Sequence, residues 1–323
     1  MLTLVTGCAG FIGSHLAERL LAAGHEVIGV DALTDYYDPE LKRDNLRVCL
    51  DHRLFRYIEA PVASLDLRVV REAEVIYHLA GQPGVRASWR DGFQACVAHN
   101  ILSTQCLLEQ ARESKNLRRL VYASSSSVYG NITAERVTEE HPKKPYSPYG
   151  VTKLAAEQLC SLYADNFGVP AVSLRLFTVC GPRQRPDMMF HRLIGAALKG
   201  VRFQVFGDGG MVRDFTCVFD VVEALILAAE GAVRQGVFNI AGGQVASVRE
   251  VIALVGDLLG SEVPVEYQGE QQGDVRRTCA DIAAASKQLN YRPEWKLRDG
   301  LRLQINSIQE LLAQRTQVAG AAL

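Results

Sequence analysis

The feature that most constrains this chain is a glycine-rich turn directly after its first apolar segment. Leu2–Thr6 form a short apolar run, and residues 11–23 carry apolar side chains at helical spacing. Between them, Gly7 permits a tight turn, Gly10 lets the backbone approach a phosphate, and Gly13 allows close helix–strand packing. The free N–H groups at the start of such a helix attract anions. The turn therefore predicts a strand–turn–helix unit that binds the pyrophosphate of a dinucleotide.

Short apolar runs alternate with helical patterns through the first half of the chain. Helical spacing lies between most of these runs, as in residues 11–23 and 94–113. Apolar strands separated by helices indicate a parallel sheet covered on both faces, so the predicted fold class is α/β with a Rossmann-type doubly wound parallel sheet. The expected strands are Leu2–Thr6, Glu26–Val30, Leu54–Ile58, Glu74–Leu79, Leu120–Ala123 and Ala171–Leu176.

The alternation stops at about residue 177, where prolines, arginines and glycines mark loops. We expect a cofactor domain over residues 1–176 and a smaller, partly interleaved substrate domain over residues 177–323. Strand-like Val237–Ala241 follows a helical pattern, so residues from about 214 to 242 are a candidate to return to the first domain. The small-residue tail 316–323 is expected to fray.

Composition argues against several classes of protein. The 323 residues include 35 Lys plus Arg and 36 Asp plus Glu, and a formal charge of −1 offers no basic surface for nucleic acid. The 8 cysteines contain no C-x-x-C pair, so they predict neither a disulfide framework nor a zinc site. No secretory signal pattern and no apolar run of about 18 residues is visible. We therefore expect a cytoplasmic protein with no metal, nucleic-acid or membrane partner.

Three further features point to redox chemistry on a sugar. Asp31 ends the second predicted strand, where a carboxylate binds the adenosine ribose and repels a 2′-phosphate, which favours NAD over NADP. Tyr149 and Lys153 lie four residues apart at the start of a predicted helix, and a positive charge near a phenol lowers its pKa. Serines 124–127 follow a buried strand at its carboxyl end. Taken singly, the Tyr–Lys pair also suits an ordinary helix surface and the serines an ordinary turn.

Together these segments resemble the extended short-chain dehydrogenase/reductases, with the glycine spacing G-x-x-G-x-x-G and a Ser–Tyr–Lys set. Matching backwards from residues 128–130, the resemblance implies that Ser125, Tyr149 and Lys153 are catalytic. It also implies a homodimer that pairs through the helices within 94–113 and 149–167. The residues it assigns to NAD are Gly7, Gly10, Phe11, Ile12, Gly13, Asp31, Lys42, Val62, Leu79, Ala80, Gln82, Tyr149 and Lys153.

Within that family, the chain is most similar to UDP-glucuronate 4-epimerases. Ser126 and Ser127 stand where relatives that dehydrate or decarboxylate nucleotide sugars carry acidic residues, and Thr178 replaces the Asn of UDP-galactose-type epimerases. Segments 35–38, 84–86 and 181–188 carry the likeness, and a sugar carboxylate suits hydroxyl donors and a guanidinium. The expected substrate-binding residues are Arg86, Ser125, Ser126, Ser127, Thr178, Arg185, Arg192, Gln204, Val205, Phe206, Arg213 and Arg276.

Two positions depart from the family pattern. Pro61 stands where relatives carry an adenine-binding Asp, and Gln271 where several carry a diphosphate-binding Arg. The predicted function is NAD-dependent interconversion of UDP-glucuronate and UDP-galacturonate through a 4-keto intermediate. A 4-epimerase of UDP-glucose or UDP-N-acetylglucosamine is the alternative. A non-catalytic NAD-binding sensor is more remote, because the Ser–Tyr–Lys set is intact.

Overall fold

The computed structural model describes the backbone of residues 1–321 and the side chains of residues 1–315. The side chains of the tail 316–323, which the sequence predicts to fray, lie outside the described residues, as does the backbone of residues 322 and 323. The strands of the described part are β1 (Leu2–Thr6), β2 (Glu26–Asp31), β3 (Phe55–Glu59), β4 (Val75–His78), β5 (Arg119–Ser125), β6 (Ala171–Leu176), β7 (Thr178–Cys180), β8 (Phe203–Phe206), β9 (Val212–Cys217), β10 (Gly236–Ile240), β11 (Gln244–Ser247), β12 (Val265–Gln268) and β13 (Arg277–Thr278).

Helices connect most of these strands. They are α1 (Phe11–Ala22), α2 (Pro39–Leu50), α3 (Leu67–Glu72), α4 (Gly92–Cys96), α5 (Ser103–Ala111), α6 (Pro148–Phe167), α7 (Met189–Lys199), α8 (Val218–Glu230), α9 (Val248–Leu259), α10 (Ala283–Gln288) and α11 (Leu297–Ala321). A π-helical segment, Val97–Leu102, joins α4 to α5. The single helix predicted over residues 94–113 is therefore a continuous helical segment, 92–111, with a wider π-helical turn in its middle. Within residues 1–321, no helix is long and apolar enough to cross a membrane.

Seven parallel strands form the main sheet of the described residues, in the order β10-β6-β5-β4-β1-β2-β3. Successive residues of a strand point to opposite faces, so Leu4 and Ile76 pack into one apolar cluster and Val5 and Tyr77 into the other. Helices cover both clusters, which explains why the strands are almost continuously apolar. The predicted doubly wound parallel sheet is confirmed, and the strand bounds expected from the sequence agree with the structure within two residues.

The chain after β6 builds a second core. Phe190 and Leu193 of α7, Val251 of α9, and Leu301 and Ile305 of α11 are buried together there. Small sheets lie beside it, in which β7 and β9 are parallel and β8 pairs with β12. Strand β10 pairs with β6 and so lies in the main sheet, in the region that the sequence offers as a candidate to return. The division of the chain into a cofactor domain and a substrate domain at residue 176 stays a prediction.

Candidate active site

A cavity of about 430 Å³ lies where the strands of the main sheet end. Its walls come from the residues that directly follow or end β1, β2, β4, β5 and β6, because the carboxyl ends of parallel strands meet at one edge of a sheet. Every residue that the family resemblance assigns to NAD lines this cavity. The topology thus brings together residues that are more than 140 positions apart in sequence, such as Gly7 and Tyr149.

The glycine turn gives the cavity a wall of bare backbone. Gly7 has φ of +73°, and a Cβ on it would lie 2.7 Å from the backbone nitrogen of Ala80. A Cβ on Gly13 would lie 2.1 Å from the carbonyl oxygen of Gly7. Gly10 is the N-cap of α1 and makes no side-chain capping contact. Side chains at Gly7 and Gly13 are therefore excluded, and the start of α1 lies open to the cavity.

Asp31 lies at the end of β2 beside this turn. Its carboxylate accepts hydrogen bonds from the backbone N–H groups of Ala9 at 3.1 Å and Leu33 at 2.9 Å. Burial raises the pKa of Asp31, and the N–H of Leu33 and the ammonium of Lys42 act in the opposite direction. Lys42 donates to the carbonyl of Thr34 at 2.6 Å. The part of the cavity beside β2 therefore carries one oriented carboxylate.

Tyr149 lies in the first turn of α6, opposite the end of β5. Ser147 caps this helix by accepting from the N–H of Gly150 at 3.1 Å, and Ser88 accepts from the N–H of Tyr149 at 3.0 Å. Burial raises the pKa of the Tyr149 phenol, whereas a hydrogen bond with Ser125 and the positive charge of Arg185 lower it. The structure thus pairs the predicted base with the predicted serine.

Lys153 lies one turn further along α6. Its ammonium donates to the carbonyl of Ala123 at 2.5 Å and lies 4.4 Å above the ring of Tyr122. Burial lowers the pKa of Lys153 to about 8. The sequence predicts that Lys153 lowers the pKa of Tyr149. That effect of Lys153 stays a prediction, and in the structure Lys153 ties α6 to β5.

Asn100, in the π-helical segment, is a site residue that the sequence analysis missed. Its side-chain oxygen accepts from the N–H of Gln82 at 2.7 Å, and its nitrogen donates to the carbonyl of Gln82 at 3.1 Å and to the hydroxyl of Thr152 at 2.9 Å. It therefore fixes the loop after β4 against α6. Other amides and polar residues lie in the same helical pattern, so no signal in the sequence singled out Asn100.

The end of the cavity near Tyr149 carries polar groups with spare hydrogen-bonding capacity. Ser126, Ser127, Thr178 and Arg185 all line it. Among the described residues, no hydrogen-bond partner is found for the hydroxyls of these two serines and the threonine. Ser125 accepts from the N–H of Ser127 at 3.2 Å, which closes a short 3-10 turn. Three hydroxyl groups and one guanidinium thus lie in the same cavity as Tyr149.

A second cavity, also of about 430 Å³, lies among the loops of the smaller core. Phe206, Asp274 and Arg276 line it. Arg86 lies 4.2 Å from the ring centre of Phe206 and pairs with Asp274 at 2.7 Å. Burial lowers the pKa of Arg213, while the charge of Asp274 raises it. Phe206 and Arg276 therefore line this cavity, and Arg86 and Arg213 interact with Asp274 in its wall.

Three predicted substrate residues lie elsewhere. Arg192 is exposed on α7 and lines neither cavity. Gln204 and Val205 are neighbours on β8, where side chains alternate between faces. Gln204 is therefore exposed and Val205 is only 1% exposed in the core, so the side chain of Phe206 alone reaches the cavity from this strand.

Comparison with known proteins identifies the class. A profile of the NAD dependent epimerase/dehydratase family matches residues 3–241. The chain is 43% identical to an uncharacterized UDP-glucose epimerase, YtcB, of Bacillus subtilis (strain 168), over 96% of this chain and 99% of that protein. The chain belongs to the NAD-dependent epimerase/dehydratase family.

Two solved structures are similar over nearly the whole chain. UDP-glucuronic acid 4-epimerase from Bacillus cereus, in complex with UDP-glucuronic acid and NAD, has a TM-score of 0.93 and 40% identity, over 96% of this chain and 100% of that one. UDP-glucose 4-epimerase from Thermotoga maritima, with UDP-glucose, has a TM-score of 0.86 and 30% identity, over 97% of this chain and 100% of that one. The chain is an NAD-dependent nucleotide-sugar 4-epimerase, an isomerase, and the predicted enzyme class and cofactor are confirmed.

The residues present fit this cofactor. The bare wall at Gly7 and Gly13 leaves room for a pyrophosphate at the start of α1, where free N–H groups stabilise negative charge. The carboxylate of Asp31 lines the same cavity at the end of the next strand, together with Pro61 and Val62, and suits the hydroxyls of a ribose. These residues would hold the dinucleotide.

Proposed function

We propose that this enzyme interconverts UDP-glucuronate and UDP-galacturonate by inverting C4. One observation carries the proposal: Arg185 and the free hydroxyls of Ser126, Ser127 and Thr178 line the cavity that contains Tyr149. A C6 carboxylate binds best to hydroxyl donors and a guanidinium. The solved Bacillus cereus relative that binds UDP-glucuronic acid adds support, since it is similar over 96% of this chain.

The chemistry divides between cofactor and chain. Bound NAD supplies the two-electron step, taking the C4 hydride and returning it. Tyr149 removes the proton of the 4-hydroxyl as the hydride leaves, so that the C4–O bond becomes a carbonyl, and it gives the proton back in the second half. Ser125, which lies beside Tyr149, binds the same sugar oxygen and orients it. Lys153, fixed by Ala123, binds the nicotinamide ribose. The 4-keto sugar turns between the two halves and presents its other face.

The nucleotide part of the substrate is assigned to the second cavity. Phe206 offers an apolar face for the uracil ring, and Arg86, Arg213 and Arg276 supply positive charge for the diphosphate. Arg276 lines this cavity beside Gln271, so we propose that it replaces the arginine that several relatives carry at the Gln271 position. The smaller domain then holds UDP while the main sheet holds NAD.

UDP-glucose is a second candidate substrate. The guanidinium of Arg185 is already paired with Asp187, with Nε 3.0 Å from Oδ1 and Nη2 3.1 Å from Oδ2. A neutralised arginine also suits an uncharged sugar. The B. subtilis relative named as a UDP-glucose epimerase agrees with this candidate.

Kinetics of Arg185→Ala on both sugars separates the candidates. If Arg185 contacts the C6 carboxylate, kcat/KM for UDP-glucuronate falls by about 30-fold or more, and UDP affinity changes little. Thr178→Asn should also slow the uronate reaction. Arg47→Ala, which removes an exposed arginine of α2, is the matched control. Equal losses on both sugars would show that Arg185 binds a part common to both and would contradict the proposed contact.

We also propose a homodimer that pairs through the outer faces of helical segment 92–111 and helix α6. Leu102, Val151, Leu162 and Phe167 are about half exposed on these helices. Exposed apolar residues grouped on adjacent helices are typical of a subunit interface. Light scattering at micromolar concentration should give twice the mass of one chain, and the mass of a single chain would contradict the dimer.

The predicted cytoplasmic location of the protein stays a prediction.

A further inference from the structure

Asp187 binds one whole edge of the arginine that faces the sugar. Both of its oxygens accept from Arg185, at 3.0 Å from Nε and 3.1 Å from Nη2, which is the two-bond fork that arginine forms with carboxylates. Among the described residues, no hydrogen-bond partner is found for Nη1 of Arg185. The Nε–Nη2 edge is therefore occupied before any substrate binds, and Nη1 is available.

Tyr36 holds Asp187 in this position. Its hydroxyl donates to Oδ2 of Asp187 at 3.2 Å, although the two residues are 151 positions apart. Tyr36 in turn packs against Gly84, where a Cβ would lie 2.4 Å from the Tyr36 hydroxyl. Three loops, after β2, β4 and β7, thus meet at one carboxylate beside the cavity. This contact gives a role to Tyr36 and Gly84, which the predicted chemistry did not use.

A substrate carboxylate would compete with Asp187 for the same arginine edge. A C6 carboxylate that displaced Asp187 would form a two-bond fork with Arg185 and be held in one orientation. Epimerisation requires the opposite, because the 4-keto sugar has to turn before the hydride returns to its other face. A carboxylate bound through Nη1 alone is held by a single contact that is more easily exchanged.

We propose that Asp187, braced by Tyr36, is a positioning residue that keeps the Nε–Nη2 edge of Arg185 from the sugar carboxylate, so that the uronate binds more weakly but turns freely. This inference rests on the proposed function, in which Arg185 faces C6. It assigns to Asp187 an effect on charged sugars alone, since UDP-glucose carries no group that competes for the edge.

Asp187→Asn tests the proposal through opposite changes in two constants. The amide keeps the size of the side chain but removes the charge that holds Arg185. For UDP-glucuronate we expect KM and kcat each to fall by about fivefold, because the sugar is bound more tightly and turns more slowly. For UDP-glucose both constants should stay within about twofold of the unmutated enzyme. Tyr36→Phe, which leaves the carboxylate but removes its brace, should give a smaller change in the same direction.

Asp66→Asn is the matched control. Asp66 forms the same two-bond fork with Arg68, two residues away, on the surface and outside both cavities. The Asp66→Asn variant should leave both kcat and KM unchanged. A KM for UDP-glucuronate that is unchanged or raised in Asp187→Asn, or equal changes with both sugars, would overturn the proposal. Kinetics of Arg185→Ala, measured in parallel, distinguish failure of this inference from failure of the proposed function. If Arg185→Ala lowers kcat/KM for UDP-glucuronate alone, the proposed function stands even when Asp187→Asn changes both sugars equally or neither.

Discussion

Glu157 and Arg175 form a buried two-bond ion pair between α6 and β6, with Nη2 of Arg175 2.6 Å from Oε1 of Glu157 and Nε 2.9 Å from Oε2. The side chains are 0% and 3% exposed. Ser124 donates to the same carboxylate at 2.7 Å. Because Ser124 precedes Ser125 and Glu157 follows Lys153 by one helical turn, this pair fixes two of the proposed catalytic residues relative to each other.

Removing one member of this pair should destabilise the fold strongly. Glu157→Gln leaves the Arg175 guanidinium buried without a counter-charge, at a cost of about 3–5 kcal/mol in the free energy of unfolding. The double variant Glu157→Gln/Arg175→Met removes both charges and should lose less than the single variant. Urea denaturation measures both. A single-variant loss below about 1 kcal/mol would contradict the account of a tightly coupled pair.

Tyr149→Phe should abolish most of the turnover and leave the fold intact. The ring and its packing stay, but the group that moves the proton is lost, so kcat should fall by about 10²–10⁴. Thermal unfolding and UDP binding should stay close to those of the unmutated enzyme. Tyr267→Phe, at a tyrosine that is 54% exposed, is the matched control. Activity above about a tenth of the unmutated level would exclude Tyr149 as the base.

Asp31 should determine the preference for NAD over NADP. Its carboxylate is oriented by two backbone N–H groups, those of Ala9 and Leu33, and would repel a 2′-phosphate. Titration should show tighter binding of NAD than of NADP, and Asp31→Asn should narrow the difference because an amide does not repel. Equal affinities in the unmutated protein would mean that this carboxylate does not face the ribose.

Acid should weaken the protein through His15. Its ring nitrogen Nε2 lies 3.0 Å from the carbonyl of Pro182, and burial lowers its pKa from 6.5 to about 4. Below pH 6.5 the unfolded chain binds a proton that the folded chain does not, so stability present above pH 6.5 is lost as the pH falls toward 4.

The variant His15→Gln isolates this effect, because glutamine keeps an N–H donor and does not titrate. Between about pH 7.5 and pH 5.5, the unmutated protein should lose about 1 kcal/mol more free energy of unfolding than the variant. Buried His78, whose pKa burial lowers to about 3, remains in both proteins and cancels in the comparison. Parallel pH profiles for the two proteins would contradict the prediction.

The sequence was sufficient for the sheet and for the residues along its edge. Strands β1 and β6 have the predicted bounds because a run buried on both faces is largely apolar, and a break flanks each run, Gly7 after β1 and Pro170 before β6. Once the strands are known to be parallel, the residues at their carboxyl ends must lie together at one edge of the sheet. This is why widely separated residues such as Gly7, Asp31 and Ser125 could be placed together.

Contacts between loops could not be predicted in this way. The bond from Tyr36 to Asp187 joins residues 151 positions apart, and no periodic pattern encodes it. The burial of Val205 depends on the partner strand of β8, which is set by packing in the smaller core. The π-helical turn around Asn100 also arises from tertiary contacts, because its side chain binds a loop and a second helix.

The most direct test of the proposed function is the reaction itself. The purified enzyme with NAD is incubated separately with UDP-glucuronate, UDP-galacturonate and UDP-glucose, and the C4 epimers are resolved by chromatography or NMR. We expect UDP-glucuronate and UDP-galacturonate to reach the same mixture from either side, with kcat/KM for UDP-glucuronate at least about a hundredfold above that for UDP-glucose, because unpaired donors disfavour the neutral sugar. Faster turnover of UDP-glucose would contradict the assignment.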